Sequence, residues 1–144
     1  MKKTIIIVVV ILLVAFIYSF FIIKNMQAEK QEVASFNSEY EYYNSNNLNG
    51  LDVVTLINKA TSNNEKNNVE KDKEGLFDLS NENSIEIYIT MIINEKTYRM
   101  EKISELGITS FVEYFGPVGF KCTNVEYHKS TGRIASMTFE ATSY

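Results

Sequence analysis

The sequence predicts an α+β protein in which an N-terminal transmembrane helix extends as a stalk and packs on a four-stranded antiparallel sheet. Three observations lead there. Residues 4 to 23 form an uncharged apolar run. Apolar residues then recur at three- and four-residue intervals as far as residue 43, the period of one helix face. After residue 84 the period changes to two, the signature of half-buried strands.

The first run, Thr4 to Ile23, reads TIIIVVVILLVAFIYSFFII and holds no charge, Gly or Pro. Twenty helical residues at ~1.5 Å rise span ~30 Å, the hydrocarbon thickness of a bilayer. Tyr18 and Ser19 are its markedly polar side chains and lie toward the C-terminal end, where a tyrosine suits the membrane interface. A cleaved signal has a shorter apolar region, about 7–15 residues, and a small-x-small site. Ile22 to Ala28 offers no such site, and no cysteine follows for lipid attachment. Residues 1–24 are therefore expected to be an uncleaved anchor, and the bilayer the first partner, through residues 4–23. Lys2 and Lys3 precede the span and Lys24 and Lys30 follow it among Glu29 and Glu32; the short basic N-terminal side and the acidic far side favour a cytoplasmic N-terminus. Residues 25–144 are then one small extracytoplasmic domain, and the protein is single-pass in the cell membrane.

Beyond the anchor the chain carries 11 basic and 18 acidic side chains, a balance of −7. A domain so acidic is a poor nucleic-acid binder, since phosphate affinity is built from clustered Lys and Arg. Cys122 is the single cysteine, which excludes an intrachain disulfide and an all-cysteine metal cage. Abundant Asn, Ile and Lys with no Trp match an AT-rich coding genome, such as that of a low-GC Gram-positive bacterium.

The stripe Val33, Phe36, Tyr40 and Tyr43 carries the helix over about 25–43, with Tyr42 off the stripe. Asn44 to Gly50 forms a turn. Asp52 is placed to cap a second helix over about 52–61, whose face is Val53, Leu56, Ile57 and Ala60 and which Ser62-Asn63-Asn64 ends. Residues 62–84, charged and Asn-rich, predict a flexible acidic loop, with Leu76 to Leu79 touching the core.

Ile85, Ile87, Ile89, Met91 and Ile93 alternate with Glu86, Tyr88 and Thr90, a strand with those polar residues facing out. Asn94-Glu95-Lys96 turns it into a strand from Thr97 to Ile103, giving a hairpin over 85–103 in which Tyr98 and Met100 share a face. A second hairpin spans 119–141, with strands Phe120–Lys129 and Arg133–Ala141 around Ser130-Thr131-Gly132. Ala135, Met137, Phe139 and Ala141 form its inward row. Between the hairpins, Ser110 to Glu113 has capping-box spacing and predicts one helical turn ended by Gly116-Pro117.

The chain offers little to catalysis. Cys122 and His128 are even-numbered in one predicted strand and so share a face, but six residues place them ~20 Å apart, beyond hydrogen-bond reach. Cys122 reads as a small, mostly buried residue and His128 as solvated at a hairpin end. One His and one Cys do not furnish a zinc site. Asp78 to Asn83 is rich in oxygens but lacks the glycine and terminal glutamate of a calcium hand. Gly116-Pro117-Val118-Gly119 has no following Lys-Ser/Thr and is no phosphate cradle. No catalytic residue, cofactor or metal is therefore expected. Tyr40, Tyr42 and Tyr43 form the densest aromatic cluster and the candidate partner-contact surface, with packing of Tyr40 and Tyr43 on the sheet as the plainer use.

A hydrophobic N-terminal helix that leaves the membrane to lie on a four-stranded antiparallel sheet resembles the type IV pilins and pseudopilins. The residues Phe36-Asn37, Tyr40, Tyr43, Gly50, Val53, Leu56-Ile57 and Asn63-Asn64 are also similar to small uncharacterised membrane-anchored proteins of Gram-positive bacteria. The pilin resemblance implies an envelope assembly with protein partners. The chain departs from it where a pilin has Gly before the apolar segment and Glu five residues into it: Lys3-Thr4 precede an uncharged run here. Retention of the whole helix in the membrane is the expectation that follows. Function is thus expected to be non-enzymatic: a tethered interaction domain in a pilin-like or secretion-like assembly, or else a tethered ligand-binding or sensor module.

Overall fold

The computed structural model describes residues 2–45, 47–92 and 95–143, which form two compact units, Met1–Ser35 and Phe36–Tyr144. Helix α1 (Lys2–Ser45) contributes to both. In the first unit it is long and apolar enough to cross a membrane. Ser19 returns its hydroxyl to the Ala15 carbonyl at 2.8 Å, so its polar group is satisfied within the helix.

The second unit begins with the last turns of α1. Of the predicted stripe, Tyr40 is fully buried and Phe36 and Tyr43 pack against the core, with the Phe36 and Tyr40 rings 4.9 Å apart. Leu48 then pairs through both backbone groups with Phe120 at 2.9 and 2.8 Å. Helix α2 (Gly50–Lys66) starts at Asn49, not at Asp52. The Asn49 Oδ1 accepts from the Leu51 and Asp52 amides, and Asp52 Oδ2 accepts from the Asn49 amide, a reciprocal capping box. Val53, Leu56, Ile57 and Ala60 form the buried face as predicted. The helix continues through Ser62-Asn63-Asn64 because the Asn64 side chain is buried and bonded to distant backbone rather than to its own turn.

Residues 67–85 hold no regular element, but the segment is tied down. Val69 and Phe77 are buried, Lys71 and Phe77 form an isolated bridge, and Asp72 Oδ1 accepts from the Glu74 and Leu76 amides. The expected core contact near Leu76 to Leu79 is made by Phe77, while Leu79 is exposed.

The sheet comprises β1 (Glu86–Thr90), β2 (Thr97–Arg99), β3 (Gly119–Tyr127) and β4 (Ile134–Ser143) in the order β2-β1-β4-β3. Both predicted hairpins are antiparallel, but β1 and β4 run parallel, Glu86 opposite Ser136 through Thr90 opposite Glu140. The sheet is therefore mixed, which corrects the antiparallel expectation. Alternation with period two fixes which face a strand buries and says nothing about the direction of its neighbour. Ile85, Ile87, Ile89 and Met91 are buried as expected, and Ile93 and Asn94 lie outside the described residues. Met137 and Phe139 are the fully buried members of the inward row of β4.

Two further corrections concern the crossover. The strand expected to reach Ile103 stops at Arg99, where helix α3 (Met100–Leu106) begins; Met100 and Ile103 are both buried at helical spacing. The single turn expected at Ser110 is the helix α4 (Ile108–Phe115), entered through Gly107 at φ +93° with no side-chain cap and closed at Gly116 as predicted. Gly50 donates to the Gly116 carbonyl at 3.0 Å, and a Cβ on Gly50 would collide with the Phe115 carbonyl oxygen. Glycine there lets the start of α2 meet the end of α4.

Candidate functional site

The three tyrosines occupy different environments. Tyr40 is 1% exposed, and burial pushes its phenol far above the ordinary range. It stands against the Lys59 ammonium, 5.2 Å from the ring centre, which also pairs with Glu39 at 2.9 Å. Tyr43 is half-buried and meets Tyr42 edge to face at 5.3 Å. Tyr42 alone of the three presents a broad surface, being 60% exposed. Near this end of α1, a hollow of about 130 Å³ is lined by Asn37, Glu41, Asn44, Val125, Tyr127 and Ile134, and Tyr127 is exposed.

Asn37 fixes that end of α1 to the second hairpin. Its amide donates to the Gly132 carbonyl at 2.9 Å and accepts from the Ile134 amide at 2.9 Å. Arg133 lies over the Phe36 ring, 4.0 Å from its centre.

A charged cluster that local patterning did not reveal lies where β1, β2 and α3 meet. Glu86, expected to face solvent, is 0% exposed. Its Oε2 accepts from Arg99 Nε and Nη2, and its Oε1 from the Met100 amide at 3.1 Å. Glu101 Oε1 accepts from the Phe77 amide at 2.8 Å and from Arg99 Nη2 at 3.2 Å. Arg99 Nη2 also donates to the Phe77 carbonyl at 3.1 Å. Glu101 Oε2 is buried and, among the described residues, receives no hydrogen bond. Burial, then the neighbouring Glu101 charge, pushes the Glu86 carboxyl up to about 7 against the opposing pull of Arg99 and the Met100 amide. Two open hollows of about 370 and 380 Å³ share Lys71 and Phe77 as walls, with Arg99 on the first and Glu101, Ser104 and Glu105 on the second.

These residues look unrelated in sequence because Glu86 sits between two core isoleucines and reads as the outward half of an alternation. The register that brings Tyr88 opposite Arg99 is what assembles the cluster. The one usable signal was Arg99-Met100-Glu101, a buried residue between opposite charges at the point where the strand gives way to helix.

The remaining candidates serve structure. Register shifts between Cys122 and Asn124 and between Glu126 and Tyr127 interrupt β3, and His128 lies beyond its end, so the even-number rule does not carry from Cys122 to His128. Cys122 is half-buried, its thiol raised by that burial, and its Sγ donates to the Asn124 carbonyl. His128 is not simply solvated: its Nε2 donates to the Ser84 carbonyl at 2.8 Å, tying the hairpin end to the approach of β1. Asp78 Oδ1 accepts from the Ser80 amide and Asn81 Oδ1 from the Asn83 amide, so these oxygens close local turns. The Ser80 amide also holds the Asp78 carboxyl below its usual range. Among the described residues, no three His, Cys, Asp or Glu converge as a metal would require.

No family model matches the chain, and neither a curated protein nor a solved structure matches it significantly.

Proposed function

We propose that this is a membrane-tethered interaction domain without catalytic activity, a subunit of a pilin-like or secretion-like assembly in the cell envelope of a Gram-positive bacterium. The observation that carries the reading is the surface of the first unit. Fifteen Val, Ile, Leu and Phe side chains between Ile6 and Ile23 are each 45–72% exposed. Soluble monomers rarely leave more than a few hundred Å² of contiguous apolar surface uncovered. Lipid is the solvent such a helix matches, and its backbone, hydrogen-bonded within the helix, meets the bilayer's demand that every polar group be satisfied. Lys2 and Lys3 on the short N-terminal side, set against Lys24 and Lys30 among Glu29 and Glu32 beyond the span, support a cytoplasmic N-terminus with the acidic domain outside. The pilin-like outline is supported by a long apolar helix whose last turns join an α+β domain with a four-stranded sheet, and the parallel β1–β4 pair departs from the antiparallel pattern. Tyr42, with Tyr127 in the exposed rim, offers amphipathic rings of the kind enriched at protein interfaces.

The test is crosslinking in the native membrane followed by mass spectrometry. Reproducible envelope-protein partners are expected, and their absence across several crosslinker lengths would remove the subunit reading. The two hollows that share Phe77 favour a second reading, a tethered sensor that binds a small extracellular ligand. A sensor would be monomeric in the membrane and would show ligand-dependent protection of residues 70–79.

A further inference from the structure

The segment 67–85 lacks regular structure, yet both backbone groups of its buried Phe77 are held by charged side chains, the amide by Glu101 Oε1 and the carbonyl by Arg99 Nη2. Glu86 in turn holds Arg99. The enclosure therefore contains two carboxylates and one guanidinium, one negative charge in excess. Three of the four carboxylate oxygens receive donors, and the fourth, Glu101 Oε2, is buried without one among the described residues. A proton on Glu86, whose carboxyl is held high by burial and by the neighbouring Glu101 charge, would neutralise the excess charge.

The surrounding groups do not remove the excess. From β1 comes the Tyr88 phenol, half-buried and raised by its burial and then by Glu86; from β3, Glu126 acts on Tyr88 with the same sign. From the segment itself comes Lys71, whose Nζ lies 4.4 Å from the centre of the Phe77 ring, and on α3 Lys102 is paired with Glu105.

We propose that Glu86, Arg99 and Glu101 form a proton-operated clasp on the segment 67–85, closed when Glu86 carries a proton and loosened when it is ionised beside Glu101. Opening admits water to both carboxylates and relieves the cost of burying like charges together. The sign follows from linkage. Glu86 is raised in the folded state, so its contribution to stability is complete below the ordinary carboxylate range and is lost as pH rises through about 7. The clasp is therefore tight in mild acid and loose above neutrality, the reverse of acid-triggered release.

The experiment is hydrogen exchange on the full chain in nanodiscs at pH 5.5 and 8.5, corrected for the intrinsic base dependence of exchange. Protection of the Phe77 amide is expected to fall at least tenfold relative to the Phe139 amide between the two values. Glu101→Gln, which keeps an acceptor for the Phe77 amide and removes the charge, should hold the segment closed at both. Should that variant fail to fold, Glu86→Gln and the unmodified chain still decide. Equal protection at both pH values in the unmodified chain would overturn the proposal. So would a pH response that survives in both variants, which would place its origin outside the cluster.

Discussion

Asn64 at the end of α2 and Ile85 before β1 are joined through both ends of one amide. Asn64 Nδ2 donates to the Ile85 carbonyl and Asn64 Oδ1 accepts from the Ile85 amide, each at 2.8 Å, in a fully buried setting. The side chain thus supplies the backbone partner that a neighbouring strand would otherwise give. Asn64→Ala leaves an N–H and a C=O buried without partners, at roughly 1–3 kcal/mol each before relaxation. A loss of about 2–4 kcal/mol is expected in urea unfolding followed by tyrosine fluorescence. A change below about 0.5 kcal/mol would mean that water reaches Ile85 in the native state.

Gly50 supports a prediction about packing. A methyl group there meets the Phe115 carbonyl oxygen, and both are backbone positions of packed helices that cannot yield independently. Gly50→Ala should cost about 2–3 kcal/mol through overpacking. Gly75→Ala is the comparison: no atom lies within 4 Å of its Cβ, but φ is +77°, so only the ~1 kcal/mol of left-handed strain applies. Equal costs for the two would argue against close contact between the start of α2 and the end of α4.

The legible parts of this fold are those governed by one segment's own period. The apolar run, the α2 face from Val53 to Ala60, the alternation from Ile85 to Met91 and the turn at Gly132 each declare themselves locally. What stayed hidden depends on a partner far along the chain. The parallel docking of β1 on β4 is a choice between hairpins with identical periodicity. Met100 satisfies both a strand and a helix pattern, and the Glu86 carboxylate settles it by accepting the Met100 amide at the start of α3. Asn63-Asn64 reads as a helix stop until Ile85 supplies a partner. The charged cluster, the best-defined polar site in the domain, was hidden for the same reason.

Arg99→Met separates the cluster's charge from its shape. It leaves Glu86 and Glu101 buried without their cation, and breaking a buried pair from one side costs roughly 3–5 kcal/mol. The full loss is expected near pH 7, before opening lets water reach the carboxylates. It should shrink as pH falls toward 5, because a buried carboxylate deprived of its counter-charge takes up a proton. Thermal unfolding across that range measures it, and a loss independent of pH would show that Arg99 acts through packing of its stem.

The anchor yields a prediction in which magnitude decides the outcome. At roughly 0.3–0.6 kcal/mol each, the fifteen Val, Ile, Leu and Phe side chains from Ile6 to Ile23 favour insertion by about 4–9 kcal/mol. One arginine near the helix centre opposes this by roughly 2.5–3.5 kcal/mol. Leu13→Arg alone should therefore leave the protein in the membrane fraction after alkaline carbonate extraction. Val9→Arg, Leu13→Arg and Ile17→Arg together reach about 7.5–10.5 kcal/mol, before counting the apolar groups removed, and should release it. The three positions are four residues apart and lie along one side of the helix, so a helical neighbour in the bilayer could shelter them. Persistence of the triple variant in the membrane would then point to a transmembrane partner for this helix, and release to an anchor held by lipid alone.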